Sequence, residues 1–186
     1  MRFILASASP RRAELLRAAG FDFDIEPAHV DETVREGEKP TAYAQRIARD
    51  KARAVAARHP SRVVLAADTI VVVDGEIFGK PVDRADAARM LRALSNRDHA
   101  VLTAVALARD GQLDEHVEST RVTFAVLTPA EVDWYVASGE ADDKAGGYAI
   151  QGLGARFIPR IEGSYSNVVG LPVAAVHRML EKALSR

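Results

Sequence analysis

The stretch Val63-Val64-Leu65-Ala66-Ala67-Asp68-Thr69-Ile70-Val71-Val72-Val73 is apolar almost throughout. A strand with one wet face alternates polar and apolar residues. A strand covered on both faces reads as a continuous apolar run. This run therefore constrains the fold more than any other segment: it needs covering layers on both sides of its sheet. Helical and strand patterns alternate along the rest of the chain, which points to an α/β fold. Asp68 interrupts the run. A carboxylate there must be paired, bind a metal, or sit at a bend facing a cleft, and capping of a neighbouring turn is the structural alternative.

The other elements follow from local signals. Arg2 to Ala6 reads as a short strand. A helix follows from Pro10, with proline suited to its first turn and Gly20 to its stop. Asp22 to Glu26 is a second short strand, and His29 to Lys39 a polar loop. Pro40 opens a helix to about Arg58, and Arg62 to Val73 is a long strand ending at the hairpin signal Asp74-Gly75. Asp83 caps a helix carrying Ala87, Met90, Leu91 and Leu94 at helical spacing. His99 to Ala108 and Glu115 to Leu127 read as strands joined through Asp110-Gly111. Thr128-Pro129-Ala130-Glu131 is a capping box opening a helix to about Ser138. A Gly-rich segment runs from Lys144 to Gly152. Arg156 to Ile161 reads as a strand, and Pro172 to Leu184 as a closing helix. No repeat or linker divides residues 1–186, which are expected to form a single domain.

Charges stand where charge is costly. Arg11 and Arg12 open a helix, where each opposes the macrodipole by about 0.3–1 kcal/mol. With Ser7, Ser9 and the free N–H groups of the first turn they suit a phosphate, or else they form a solvated pair. Lys51 falls on the apolar stripe of Tyr43, Ile47 and Val55. It either meets an anion, as a second phosphate contact, or snorkels to the helix edge. Asp31-Glu32 lies on a polar loop, and Gly79-Lys80-Pro81 places a lysine in a tight turn. For both, solvated surface is the alternative. The glycines around Tyr148 and the stretch Gly163-Ser164-Tyr165-Ser166-Asn167 suit close backbone approach to a ligand, or turns.

Composition narrows the classes. The net charge of −1 gives no global field for nucleic acid. The absence of cysteine excludes disulfides, thiolate metal sites and cysteine nucleophiles. His29, His59, His99, His116 and His177 show no zinc-ligand spacing and read as scattered surface or core residues. Neither a secretory leader nor an apolar run of membrane-spanning length is read, so a cytoplasmic location is expected. Several cations, two or more carboxylates and Gly-rich turns, without a Walker or dinucleotide motif, suit phosphoanhydride cleavage with Mg²⁺ or Mn²⁺.

The chain resembles the Maf family of nucleoside triphosphate pyrophosphatases. The matching residues are Leu5 to Arg12, Val30-Asp31-Glu32, Lys51 within Asp50-Lys51-Ala52, Ala67-Asp68-Thr69, Gly79-Lys80-Pro81, Asp143 to Gly152, Gly163-Ser164-Tyr165, and Val169 to Pro172. The resemblance implies a mixed sheet flanked by helices, with two lobes around a cleft, like inosine triphosphate pyrophosphatases. It also implies a homodimer, and hydrolysis of a nucleoside triphosphate to the monophosphate and pyrophosphate with a divalent cation. Asp68 would be proton acceptor or metal ligand, with Glu32 its acidic partner. Arg11, Arg12, Lys51 and Lys80 would clamp phosphates. Arg11, Thr69 and Gln151 match the branch acting on dTTP and UTP. A 7-methyl-GTP or inosine-type activity, or a nucleotide-binding regulator of cell division, is the alternative.

Overall fold

A computed structural model describes residues 2–184. Its order is β1 (Phe3–Leu5), α1 (Pro10–Ala18), β2 (Phe23–Ile25), α2 (Pro40–Ala56), β3 (Val64–Val73), β4 (Glu76–Phe78), α3 (Arg84–Leu94), β5 (Asp98–Arg109), β6 (Gln112–Thr123), α4 (Pro129–Ala137), β7 (Arg160–Glu162), α5 (Tyr165–Val169) and α6 (Val173–Leu184). The strands form one mixed sheet in the order β2-β1-β3-β5-β6-β7, with β4 paired to β3. β1 runs parallel to β2 and β3, while β4 is antiparallel to β3 and β7 to β6.

The chain divides into two compact units: Met1–Thr69, Thr103–Glu118 and Gly170–Arg186 in the first, Ile70–Leu102 and Ser119–Val169 in the second. Each has its own core. Leu5, Leu16, Leu65, Leu107, Leu171 and Val176 are central to the first. Val71, Leu91, Phe124, Tyr135, Tyr148 and Phe157 are central to the second. The continuous apolar run behaves as its pattern demands: Val64, Leu65, Ala66 and Ala67 are fully buried although successive side chains point to opposite faces.

Local signals place most boundaries. Asp83 accepts from the Asp86 N–H at 2.8 Å, and Thr128 with Glu131 closes a reciprocal capping box at the start of α4. Asp74 and Gly75 both have positive φ, the geometry of the two-residue hairpin turn they signal.

Three segments differ from the sequence reading. β6 starts at Gln112 and ends at Thr123 instead of running from Glu115 to Leu127. Residues 124–127 leave the ladder, because the N–H of Phe124 donates to Arg97, that of Ala125 to Phe157 and that of Leu127 to the Ser95 hydroxyl. The strand read at Arg156 to Ile161 is two things: a 3₁₀ turn at Leu153–Phe157 and then β7. The carboxylate of Glu140 accepts the Leu153 and Gly154 N–H groups, so the turn starts on an anionic cap that local propensity does not reveal. Gly163 to Asn167, read as turns or close backbone approach, leads into α5, with the Ser164 hydroxyl accepting from the Asn167 N–H.

Candidate active site

β1 and β3 are in parallel register with Leu5 opposite Leu65. β1 then ends, and the chain turns through Ser7 and Ser9 into α1, while β3 continues to Asp68 and Thr69. The carboxyl ends of parallel strands, beside a helix N-terminus, are where α/β folds place ligands. Ser9 is the N-cap residue, but its hydroxyl makes no capping bond. Arg11 and Arg12 occupy the first turn, and no acidic residue offsets them there.

The two arginines have different surroundings. Arg11 is half-buried. Arg12 is buried, and its guanidinium makes four bonds within the first unit: Nε to the Gly170 carbonyl at 2.9 Å, Nη1 to Ser7 Oγ at 3.1 Å and the Ala67 carbonyl at 2.8 Å, and Nη2 to Thr69 Oγ1 at 3.0 Å. Burial lowers its pKa from the ordinary arginine value, against the pull of Asp68 and Glu32. Arg12 thus ties the β1–α1 turn to the peptide just before Asp68 and to the residue just after it. Thr69 Oγ1 also contacts Thr103 Oγ1 at 3.0 Å and the Gly170 carbonyl at 3.3 Å.

Asp68 is 7% exposed. Its partner is Lys51, the cation that interrupts the apolar face of α2. Lys51 Nζ lies 2.9 Å from Asp68 Oδ1 and 2.9 Å from Glu32 Oε1. Each costly charge therefore answers the other. Glu32 is the open end, with its side chain 52% exposed against 9% for Asp68. Its loop is held by α2: Tyr43 Oη donates to the Glu32 carbonyl at 2.9 Å, and Arg46 donates to the Thr33 carbonyl at 3.0 Å while gripping Glu38 in a two-bond fork. Burial, with the Asp68 and Glu32 carboxylates, pushes the Tyr43 phenol up to about 12, so it stays a donor. The Arg46 fork holds the Glu38 carboxyl down at about 2.

Lys80 and Gln151 belong to the second unit, and both are exposed. Their loops meet in the backbone, where the Gly146 N–H donates to the Gly79 carbonyl at 3.0 Å. Gly146 has φ 71°, and a Cβ there would lie 2.7 Å from Val71 Cγ2, so only glycine suits the position. Beneath, His99 Nε2 is 2.7 Å from Tyr148 Oη, and both rings are buried against Phe124. Burial holds the His99 pKa down to about 4.

The first unit therefore brings together Asp68, Glu32 and Lys51, and, through Arg12, Ser7 and Thr69. Ser9 and Arg11 sit on the same turn. Sequence reasoning did not single out Thr103, Arg46, Tyr135 or Glu140, and it took Tyr43 only for an apolar-stripe residue. The signal for Tyr43 was its phenol, which on a buried helix face requires an acceptor. Among the described residues no three carboxylate or imidazole groups cluster as a self-contained metal cage. Two carboxylates at one point suit a hard cation such as Mg²⁺, which takes one or two carboxylates and completes its shell with phosphate oxygens and water.

The Maf-like protein family pattern matches residues 2–183. The chain is 54% identical to the dTTP/UTP pyrophosphatase of Koribacter versatilis, over 98% of this chain and 95% of that protein. It is 50% identical to the protein of the same name from a Shewanella species, over 98% of each. The Ham1 protein of Staphylococcus aureus shares the fold at a TM-score of 0.59 with 15% identity, over 98% of this chain and all of that one. The chain belongs to the Maf-like protein family.

Proposed function

We propose that this chain hydrolyses dTTP and UTP to the nucleoside monophosphate and pyrophosphate. The observation that carries the reading is the Glu32–Lys51–Asp68 cluster beside the Arg11–Arg12 helix start. It occurs in a chain half identical, over nearly its whole length, to relatives named for that activity. Water attacks the α-phosphorus; one P–O bond forms, the bond to the bridging oxygen breaks, and pyrophosphate leaves. Asp68 takes the proton from the water. Lys51 orients Asp68 through their 2.9 Å contact, and offers its ammonium to the triphosphate as charge builds. Glu32 and Asp68 would hold Mg²⁺ or Mn²⁺, which would supply neutralisation of phosphate charge and a more acidic water.

Arg11 and Lys80 are phosphate contacts. Arg12 holds the β1–α1 turn through bonds to protein, and Ser7 and Ser9 are part of that phosphate-binding turn. Thr69 and Gln151 read the base: an amide donates to a carbonyl and accepts from the ring N–H of uracil or thymine. The enzyme works as a cytoplasmic homodimer on free nucleotides and not on nucleic acid, in keeping with a net charge of −1. No described helix is long and apolar enough to cross a membrane.

The test is pyrophosphate release from dTTP, UTP, dCTP, the purine triphosphates, dITP and 7-methyl-GTP, with each metal. dTTP and UTP should lead. Faster cleavage of 7-methyl-GTP or dITP would overturn the base assignment and leave the chemistry standing.

A further inference from the structure

We infer that Glu140 and Tyr135 form a clamp on both sides of Gln151 and thereby set how strictly the enzyme selects its base. This rests on the reading of Gln151 as a base contact. Gln151 is exposed at the tip of its turn, so its direction depends on the backbone that carries it. That backbone is tied twice to one pair of side chains. On the near side the Ala149 N–H donates to Tyr135 Oη at 3.0 Å. On the far side the Leu153 N–H donates to Glu140 Oε1 at 2.9 Å and the Gly154 N–H to Glu140 Oε2 at 3.1 Å. Tyr135 Oη donates to Glu140 Oε2 at 2.6 Å and so joins the two sides. The Gly152 N–H closes the turn on the Ala149 carbonyl at 3.3 Å.

The anchor is closely packed. Tyr135 is fully buried, and its ring packs edge-on against Phe157 at 5.5 Å. Glu140 approaches so closely that a Cβ on Gly152 would come within 1.9 Å of its Oε1. Burial alone would raise the Glu140 carboxyl, but the Tyr135 hydroxyl and the two backbone N–H groups outweigh it and hold the pKa below the ordinary glutamate range. The clamp is thus a carboxylate across neutral pH, and charge-assisted bonds are the stronger kind. A turn held this way presents Gln151 in one direction. Discrimination between bases needs that, because a polar group rejects the wrong partner only when it cannot swing to another one.

Glu140→Gln tests the clamp at nearly constant volume. Whichever way the amide faces, its NH₂ meets a backbone N–H, of Leu153 or of Gly154. The ratio of kcat/KM for dTTP over dGTP should fall about tenfold, chiefly through KM for dTTP. Tyr135→Phe should shift the ratio in the same direction, and in a Gln151→Ala background Glu140→Gln should change it little further. A merely structural role would lower both substrates alike and leave the ratio intact. An unchanged ratio in Glu140→Gln, beside a collapsed one in Gln151→Ala, overturns the clamp alone; so does an equal drop with and without Gln151. An unchanged ratio in Gln151→Ala overturns the base reading and the clamp with it. Glu140 is only half-buried, so its variant carries the decision if Tyr135→Phe fails to fold.

Discussion

The two units hold their candidate functional residues in different ways. In the first, charged side chains do the holding: Lys51 bridges Glu32 and Asp68, and Arg12 donates to the Ala67 carbonyl before Asp68 and to the Thr69 hydroxyl after it. In the second, Lys80 and Gln151 are exposed, and what is held is the backbone beneath Gln151. The difference matches the tasks proposed for Asp68 and for Gln151. Chemistry at a phosphorus needs charges at fixed places in a poorly hydrated site. Reading a base needs a neutral donor and acceptor that meet the ligand without first breaking an ion pair. Removing charge in the first unit should therefore act on turnover, and loosening the second should act on selectivity.

The largest expected effect is Asp68→Asn. Loss of a positioned base costs about 10²–10⁴-fold in turnover. The fold should persist, because Lys51 keeps Glu32 as a partner. Steady-state kinetics beside a circular-dichroism melt separates the two. An unfolded variant would make the cluster a structural ion pair, and a folded, fully active one would remove Asp68 from the reaction.

Arg12→Lys comes next. It keeps the charge and loses the fork that reaches Gly170, Ser7, Ala67 and Thr69 together. Leaving buried carbonyls unpaired should destabilise by about 3 kcal/mol, read as a fall in Tm of about 6–12 °C. A Tm within a degree of the parent would show that these bonds are replaceable, and would make Arg12 a candidate for direct phosphate contact after all.

The same contrast explains what the sequence disclosed. Strand β3, both helix caps and the Asp74-Gly75 turn depend on neighbours in sequence, so local pattern found them. Asp68 and Lys51 were legible as costly charges, since each breaks an apolar pattern. That they meet was not legible, because seventeen positions separate them and their contact depends on how α2 lies on the sheet. Arg12 and Gly170 are separated by 158 positions, and the Arg12 pattern alone allowed only a cation at a helix start. Glu140 was invisible for a further reason: a glutamate after a helix is ordinary, and only the fold brings two backbone N–H groups to it. Its capping of residues 153 and 154 is also why a 3₁₀ turn stands where a strand was read.

His99 gives the second unit a pH dependence of its own. Its pKa, ordinarily about 6.5, is held down to about 4 by burial. Between these values the unfolded chain binds a proton that the folded one refuses. Stability is therefore full above pH 6.5 and falls with acid until pH 4, by about 3 kcal/mol in total. Glu38, at about 2 in the folded chain, adds its own loss only below about pH 4.5. Denaturant midpoints at pH 7 and pH 4.5 should differ less in His99→Gln than in the parent. Equal differences would show that His99 does not titrate on unfolding, and that the buried His99–Tyr148 pair is not what makes this unit acid-sensitive.

The smallest effect is expected from Tyr43→Phe, and it probes how far the ionic cluster depends on its neighbours. The hydroxyl makes one bond, to the Glu32 carbonyl, and a bond of this kind contributes about 0.5–1.5 kcal/mol. The ring still fills the same buried position on α2. Arg46 still holds the loop one residue on, through the Thr33 carbonyl and Glu38. Glu32 should lose some of its fixed position, not its place. kcat/KM should drop a fewfold, more steeply at limiting metal, with Tm nearly constant. A drop as deep as that of Asp68→Asn would mean that the loop collapses without the phenol, so that the first unit relies on backbone anchoring as much as the second does. An unchanged kcat/KM would assign the loop's position to Arg46 alone and sharpen the contrast in the other direction.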